Sequence, residues 1–273
     1  MELIEIVKVI VLGIVEGITE WLPISSTGHM LLVDEFIHMN VSDGFKEMFF
    51  VVIQLGAILA VVILFWDKMW PFQSKDKTGH VIRKDVFSMW LKVVVACIPG
   101  AIVTLLFDDY IEAHLHTPTV ITLALVIYGV AFIVIENRNK TRKPQVQSLE
   151  DISYKTAFII GLFQVLSIIP GTSRSGSTII GALTIGVSRV AAAEFTFFLA
   201  VPVMMGLSLI KIVKFGLSFT SVELMTLAIG CVVAFLVSVL VIKFLMSYIK
   251  KRDFKIFGWY RIALGIVLLL YFM

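Results

Sequence analysis

Charge is scarce in this chain of 273 residues: Asp, Glu, Lys and Arg make up 16% of it, against about 25% in an ordinary soluble domain. Cysteine is scarcer still. Cys97 and Cys231 both lie inside apolar runs, neither has metal-ligand spacing, and two such thiols say nothing firm about the redox compartment. No Gly-x-x-x-x-Gly-Lys-Ser/Thr loop occurs, so a nucleotide is not indicated. The net charge of +3 is too small and too dispersed for a nucleic-acid partner. The opening Met1-Glu2-Leu3-Ile4-Glu5 lacks the basic region and cleavage site of a signal peptide, so it is expected to stay in the mature chain. What the sequence does have is apolar surface: 59% of residues are hydrophobic and the mean hydropathy is +0.97. So much cannot be hidden in a soluble core of this size and must face lipid. A soluble globular enzyme and a disordered chain are both excluded, and an all-α polytopic membrane protein is predicted.

A membrane-crossing helix needs about 20 mostly apolar residues, and six stretches qualify, near 47–66, 86–107, 118–136, 192–213, 221–243 and 257–273. Two more apolar segments, 6–38 and 156–187, are broken in the middle by Pro23-Ile24-Ser25-Ser26-Thr27-Gly28-His29 and Pro170-Gly171-Thr172-Ser173-Arg174-Ser175-Gly176. Their arms, of about 11–16 residues, are too short for a bilayer core of about 30 Å at about 1.5 Å per residue. The stretches 67–85 (Lys68, Lys75, Lys77, Arg83, Lys84), 137–155 (Arg138, Lys140, Arg142, Lys143, Lys155) and 243–256 (Lys243, Lys250, Lys251, Arg252, Lys255) are basic and are expected in the cytoplasm. The stretch with Asp108, Asp109, Glu112, His114 and His116 has no Lys or Arg and is expected outside; a metal on its acids and histidines is less favoured than a solvated loop. Counting spans, 156–187 starts and ends inside, and 6–38 by analogy starts and ends outside. Both then read as re-entrant hairpins, which membranes tolerate where protein or a wet cavity satisfies the turn. Gly13-x-x-Glu16 before Pro23-x-Ser-Ser recurs as Gly161-x-x-Gln164 before Pro170-x-Thr-Ser, each followed by three spans. The chain therefore reads as one membrane domain of two inverted repeats, 1–137 and 156–273, joined by a basic linker, 138–155, with one shared site near the midplane.

Glu16 and Glu20, four residues apart, lie on one helical face. Each ionised group costs at least about 2.5–3.5 kcal/mol at the centre of a span, so such a pair needs a cation, a proton or a wet cavity. A divalent-metal site, or one ligand beside one general base, fits; simple solvation near the outer surface is the bland alternative. Ser25, Ser26 and Thr27 sit where the second arm begins, with capping hydroxyls, free backbone N–H groups and Gly28 to admit an anion closely. Ser26 is a candidate nucleophile and His29, three residues on, its proton partner, although that spacing alone equally suits a cap and a satisfied histidine. Arg174, amid Gly171, Thr172, Ser173, Ser175, Gly176 and Ser177, matches phosphate oxygens with its planar fork or pairs with Glu16 or Glu20. Gln54 and Glu194 are candidate cavity-lining groups, with hydrogen bonding between helices their commoner role. Arg189 marks the cytoplasmic edge. Inverted repeats, broken helices and buried carboxylates also suit a secondary transporter or flippase of an anionic or lipid-phosphate substrate, which is the competing reading.

Leu12-Gly13-Ile14-Val15-Glu16-Gly17-Ile18-Thr19-Glu20-Trp21-Leu22-Pro23-Ile24-Ser25-Ser26-Thr27-Gly28-His29 and Pro170-Gly171-Thr172-Ser173-Arg174-Ser175-Gly176 resemble the two signature motifs of the undecaprenyl-diphosphatase family, the bacitracin-resistance proteins. Gln54-Leu55-Gly56-Ala57 and Ser188-Arg189-Val190-Ala191-Ala192-Ala193-Glu194-Phe195 support the resemblance, which spans the whole chain. It implies a multi-pass phosphatase of the bacterial plasma membrane that converts undecaprenyl diphosphate to the monophosphate carrier used for cell-wall glycan. It also implies Mg²⁺ or Ca²⁺ dependence, an inverted-repeat fold, a site opening to the outer face and a homodimer. On this reading Glu16 and Glu20 hold the cation, Arg174 and the turn N–H groups hold the diphosphate, and Ser26 attacks with His29 assisting. A Glu20-activated water is the rival nucleophile.

Overall fold

The computed structural model describes residues 2–72, 81–115 and 117–272, without the side chains of Leu31, Asp34 and 108–113. Lys75, Lys77, His116 and the side chains of Asp108, Asp109 and Glu112 therefore lie outside the described residues. The regular structure among the described residues is helical, apart from isolated backbone bridges. Six helical stretches are long and apolar enough to cross a membrane: Asp43–Leu64, Lys84–Phe107, Pro118–Asn139, Arg189–Phe215, Ser221–Ile249 and Lys255–Phe272. They match the six expected spans and make this a multi-pass membrane protein. Their exposed faces carry leucine, isoleucine, valine and phenylalanine, as lipid contact requires.

In chain order the helices are α1 (Leu3–Thr19), α2 (Ser26–Phe36), α3 (Asp43–Val52), α4 (Gln54–Leu64), the single turn α5 (Trp66–Met69), α6 (Lys84–Leu115), α7 (Pro118–Asn139), α8 (Tyr154–Val165), α9 (Arg174–Thr184), α10 (Arg189–Phe215), α11 (Ser221–Ile249) and α12 (Lys255–Phe272). At 17 residues α1 is longer than the expected arm, yet its length of about 26 Å still falls short of the hydrocarbon core. The hairpin α1–α2 returns to the end from which it starts: Lys8 Nζ donates to the His38 carbonyl at 2.6 Å, and Glu5 accepts from the Asn40 N–H at 3.1 Å. The hairpin α8–α9 does the same, because Gln145 and Ser188, which flank it, are tied by backbone hydrogen bonds to Gly186 and Val146. The two hairpins enter from opposite ends. Glu47, beside the first, meets Lys211 near the C-terminus of α10 at 3.8 Å, whereas Lys68, one span later, pairs at 2.6 Å with Glu194 near the start of α10, beside the second.

Packing follows the same exchange of halves: α1 lies on α11, α8 on α6, α7 on α12, and α3–α4 on α10. Lipid offers no hydrophobic drive between helices, so close backbone approach replaces it. A methyl group on Gly13 would meet the Gly230 carbonyl of α11 at 3.0 Å, and one on Gly161 would strike the Ala96 carbonyl of α6. Gly129 and Gly258 face each other's carbonyls between α7 and α12. These contacts press both hairpins inward, so that their turns meet inside the helix bundle.

Candidate active site

Both turns are built alike. Ser25 and Ser173 are the only non-glycine residues at positive φ among the described residues, at 75° and 69°. L-residues seldom adopt that conformation, and it persists where the surroundings enforce it. Each serine then caps the helix that follows, its Oγ accepting at 3.2 Å from the N–H of Gly28 and of Gly176 respectively. Ser26 and Arg174 thus open α2 and α9 at corresponding places, on two helix N-termini where unpaired N–H groups suit an anion.

Glu20 joins the two turns. One carboxylate oxygen accepts from Ser26 Oγ at 3.1 Å, the other from Arg174 Nη2 at 3.0 Å, and the Glu20 carbonyl accepts from Ser175 Oγ at 3.2 Å. Arg174 Nη1 donates to the Thr196 carbonyl of α10 at 2.9 Å, which sets the plane of its fork. Thr178 and Thr196, both fully buried, hydrogen-bond to each other at 2.9 Å behind it. Glu16 lies one turn before Glu20 and is buried, and its Oε1 has no partner. Trp21 Nε1 and Arg174 Nε are buried and unpartnered as well. A buried polar group without a partner costs about 1–3 kcal/mol, and unmatched donors and acceptors of this kind point to a ligand or ion that completes them.

Of the residues expected at the site, Glu16, Glu20, Ser25, Ser26, Arg174, Ser173, Ser175 and Gly176 gather around this network, with Thr27 and Gly28 in the first turn of α2. His29 stands apart from Ser26. Its Nδ1 lies 2.7 Å from the Ser25 carbonyl and its Nε2 2.8 Å from the Tyr260 hydroxyl, so both ring nitrogens are engaged elsewhere. Thr172 is turned away too, donating to the carbonyls of Leu166 and Ile169 at 3.0 and 2.8 Å. Gln54 is half-buried at the head of α4 and is not among the groups bonded to Glu20, Ser26 or Arg174. Glu194, two residues before Thr196 on α10, is paired with Lys68 rather than with the network. Arg189 is more than an edge marker: its guanidinium grips the buried Glu136 at 2.5–3.1 Å, and Glu136 also accepts from the Phe254 N–H at 3.0 Å.

The chief residue that sequence reading missed is Arg261 of α12, which is fully buried. Its guanidinium donates to the Pro23 carbonyl of the first turn at 3.2 Å and to the Gly171 and Thr172 carbonyls of the second at 2.7 and 3.0 Å. The same group lies over the Tyr128 ring, 5.4 Å from its centroid. One cation therefore staples both turns together. Its signal was present in the sequence: an arginine within an apolar span is functional by default.

A model of the family described as bacitracin resistance protein BacA matches residues 9–267. The chain belongs to that family. An undecaprenyl-diphosphatase of Enterococcus faecalis is 73% identical over 270 residues, covering 99% of this chain and 98% of that one. Relatives with the same name from Desulfitobacterium hafniense and Lachnoclostridium phytofermentans are 61% and 60% identical over 273 residues, covering all of this chain and 98% and 99% of theirs.

The donor set can be compared with what the divalent cation expected from the sequence would need. Among the described residues no group of three or more His, Cys, Asp and Glu side chains is gathered to hold a metal. Mg²⁺, however, commonly takes only one or two carboxylates and leaves its other positions to substrate phosphates and water. Glu16, with an unpartnered buried oxygen, and Glu20 are the two carboxylates that would hold such an ion.

Proposed function

We propose that this protein is an enzyme that hydrolyses undecaprenyl diphosphate to undecaprenyl phosphate and inorganic phosphate, renewing the lipid carrier for peptidoglycan synthesis and thereby conferring bacitracin resistance. The observation that supports it best is the contact of Ser26 and Arg174, from opposite hairpins, with the two oxygens of one carboxylate. A nucleophilic hydroxyl, its proton acceptor and a phosphate-binding fork are then adjacent, between two helix N-termini.

On this reading the diphosphate enters between the turns while its isoprenoid tail stays in lipid. The Arg174 fork leaves Glu20 for the phosphate oxygens, and N–H groups at the starts of α2 and α9 help to hold the charge. Ser26 Oγ attacks the terminal phosphorus as Glu20 takes its proton, and the bond to the bridging oxygen breaks, releasing undecaprenyl phosphate. Water then hydrolyses the phosphoserine to inorganic phosphate. Glu20 replaces His29 as the base because Ser26 points at the carboxylate; His29 supports the turn through Ser25 and Tyr260. Mg²⁺ or Ca²⁺ on Glu16 and Glu20 supplies neutralisation of the diphosphate's negative charge. In phosphoryl transfer most acceleration comes from positioning and charge stabilisation, so Arg174 matters as much as the nucleophile.

The reading includes two inverted repeats and, as the family resemblance implies, a site open to the outer face and a homodimer. The test is phosphate release from undecaprenyl diphosphate by the detergent-purified protein with Mg²⁺ or Ca²⁺ and then EDTA, beside Glu20→Gln, Ser26→Ala and Arg174→Ala. Metal-dependent release that falls at least about a hundredfold in each variant is expected. No release from folded wild type with either cation would overturn the proposal.

A further inference from the structure

A cavity of about 830 Å³ opens at the end where the second hairpin enters, away from the Glu20–Ser26–Arg174 network. It lies between the C-terminal ends of α7, α9 and α11 and the first turn of α10. Its walls are tied in place: Gln145 and Val146 N–H donate to the Gly186 carbonyl at 2.8 and 3.2 Å, and Asn139 Nδ2 donates to the Leu183 carbonyl at 2.8 Å. Lys140, Arg142, Lys143 and Lys250 line it, and none of these four side chains has an ion-pair or hydrogen-bond partner among the described residues. The acids nearby are already engaged, Glu136 by Arg189 and Asp253 by Lys255 at 3.1 Å.

Lysines near helix C-termini also complement the helix dipole, so the magnitudes decide. Three C-terminal ends and one N-terminal end amount to about one negative charge in all, against four unpaired cations. The surplus is strongly positive in a cavity of small-ligand size. The positive-inside rule places this end in the cytoplasm, where basic pockets between membrane helices take anionic headgroups.

We propose that this cavity is a second anion site, which binds a phosphate group carried by a membrane lipid or free in solution. The site is separate from the phosphatase centre. The test is thermal unfolding in phosphatidylcholine nanodiscs, with phosphatidic acid added to the bilayer in one arm and inorganic phosphate added at matched ionic strength in the other. All samples carry Arg174→Ala, so that the catalytic turns contribute little phosphate affinity. A rise in midpoint in either arm, absent after Lys140, Arg142, Lys143 and Lys250 are all changed to Gln, is the expected result. The responding arm identifies the source of the phosphate. Single Arg142→Gln and Lys250→Gln variants guard against misfolding of the fourfold one, and each should raise the half-maximal concentration about tenfold. No shift in either arm, or a shift unchanged by these substitutions, would overturn the site.

Discussion

Arg261→Lys is the substitution that tests most directly how the two turns are held. Arginine at 261 makes three hydrogen bonds of 2.7–3.2 Å, to Pro23, Gly171 and Thr172, from one rigid plane. Lysine keeps the charge but carries a single nitrogen, which reaches one turn or the other and not both. Two hydrogen bonds to a charged donor are lost, each worth about 1.5–3 kcal/mol, and their carbonyls stay buried. Allowing for partial relaxation, stability should drop by about 3 kcal/mol. Catalysis should suffer separately. The turns carry Ser26 and Arg174, and a misplacement of about 1 Å costs about a hundredfold in rate. The assay pairs unfolding in detergent, followed by tryptophan fluorescence, with kcat for phosphate release. Arg174→Lys is the control: it should lower kcat with less change in unfolding than Arg261→Lys, because lysine keeps the charge beside Glu20 and neither turn's backbone loses its tie to the other. If Arg261→Lys unfolds like wild type and turns over within about twofold of it, the staple is not what holds the turns.

Three further outcomes are expected. Gly161→Ala places a methyl group on the Ala96 backbone carbonyl, which cannot yield, so overpacking of at least about 1–3 kcal/mol should reduce the folded yield measured by size-exclusion chromatography. Glu136→Ala leaves the Phe254 N–H without its buried acceptor and the half-exposed guanidinium of Arg189 without its anchor, and a loss of about 1–3 kcal/mol should appear in thermal unfolding. Tyr260→Phe removes one neutral hydrogen bond to His29, worth about 1 kcal/mol, and kcat should remain within about tenfold of wild type. A loss as deep as that of Ser26→Ala would return the proton transfer to His29.

The spans were legible because hydropathy is a local property: 47–66 and 118–136, read as apolar runs, became Asp43–Leu64 and Pro118–Asn139. So were the two breaks, since Pro23 and Pro170 with their polar neighbours interrupt runs that are too short to cross without them. The internal likeness of Gly13-x-x-Glu16 to Gly161-x-x-Gln164 pointed to two turns of one design, and both turns have a strained serine cap. Spacing pairs Ser26 with His29, whereas in the structure Ser26 Oγ donates to Glu20 and the local turn hands the histidine to the Ser25 carbonyl. Arg261 belongs to no motif, and the carbonyls that it ties together come from turns far away in the sequence.

By itself, then, the sequence determined that the chain lives in a membrane, where its helices run and break, and which polar residues sit in apolar surroundings, because each of these depends on neighbours within a few turns. Only the tertiary structure decided who meets whom. Glu20 and Arg174 are 154 residues apart and Arg261 lies 238 residues from Pro23, and hydrogen bonds between them exist only after two hairpins have been pressed together from opposite ends.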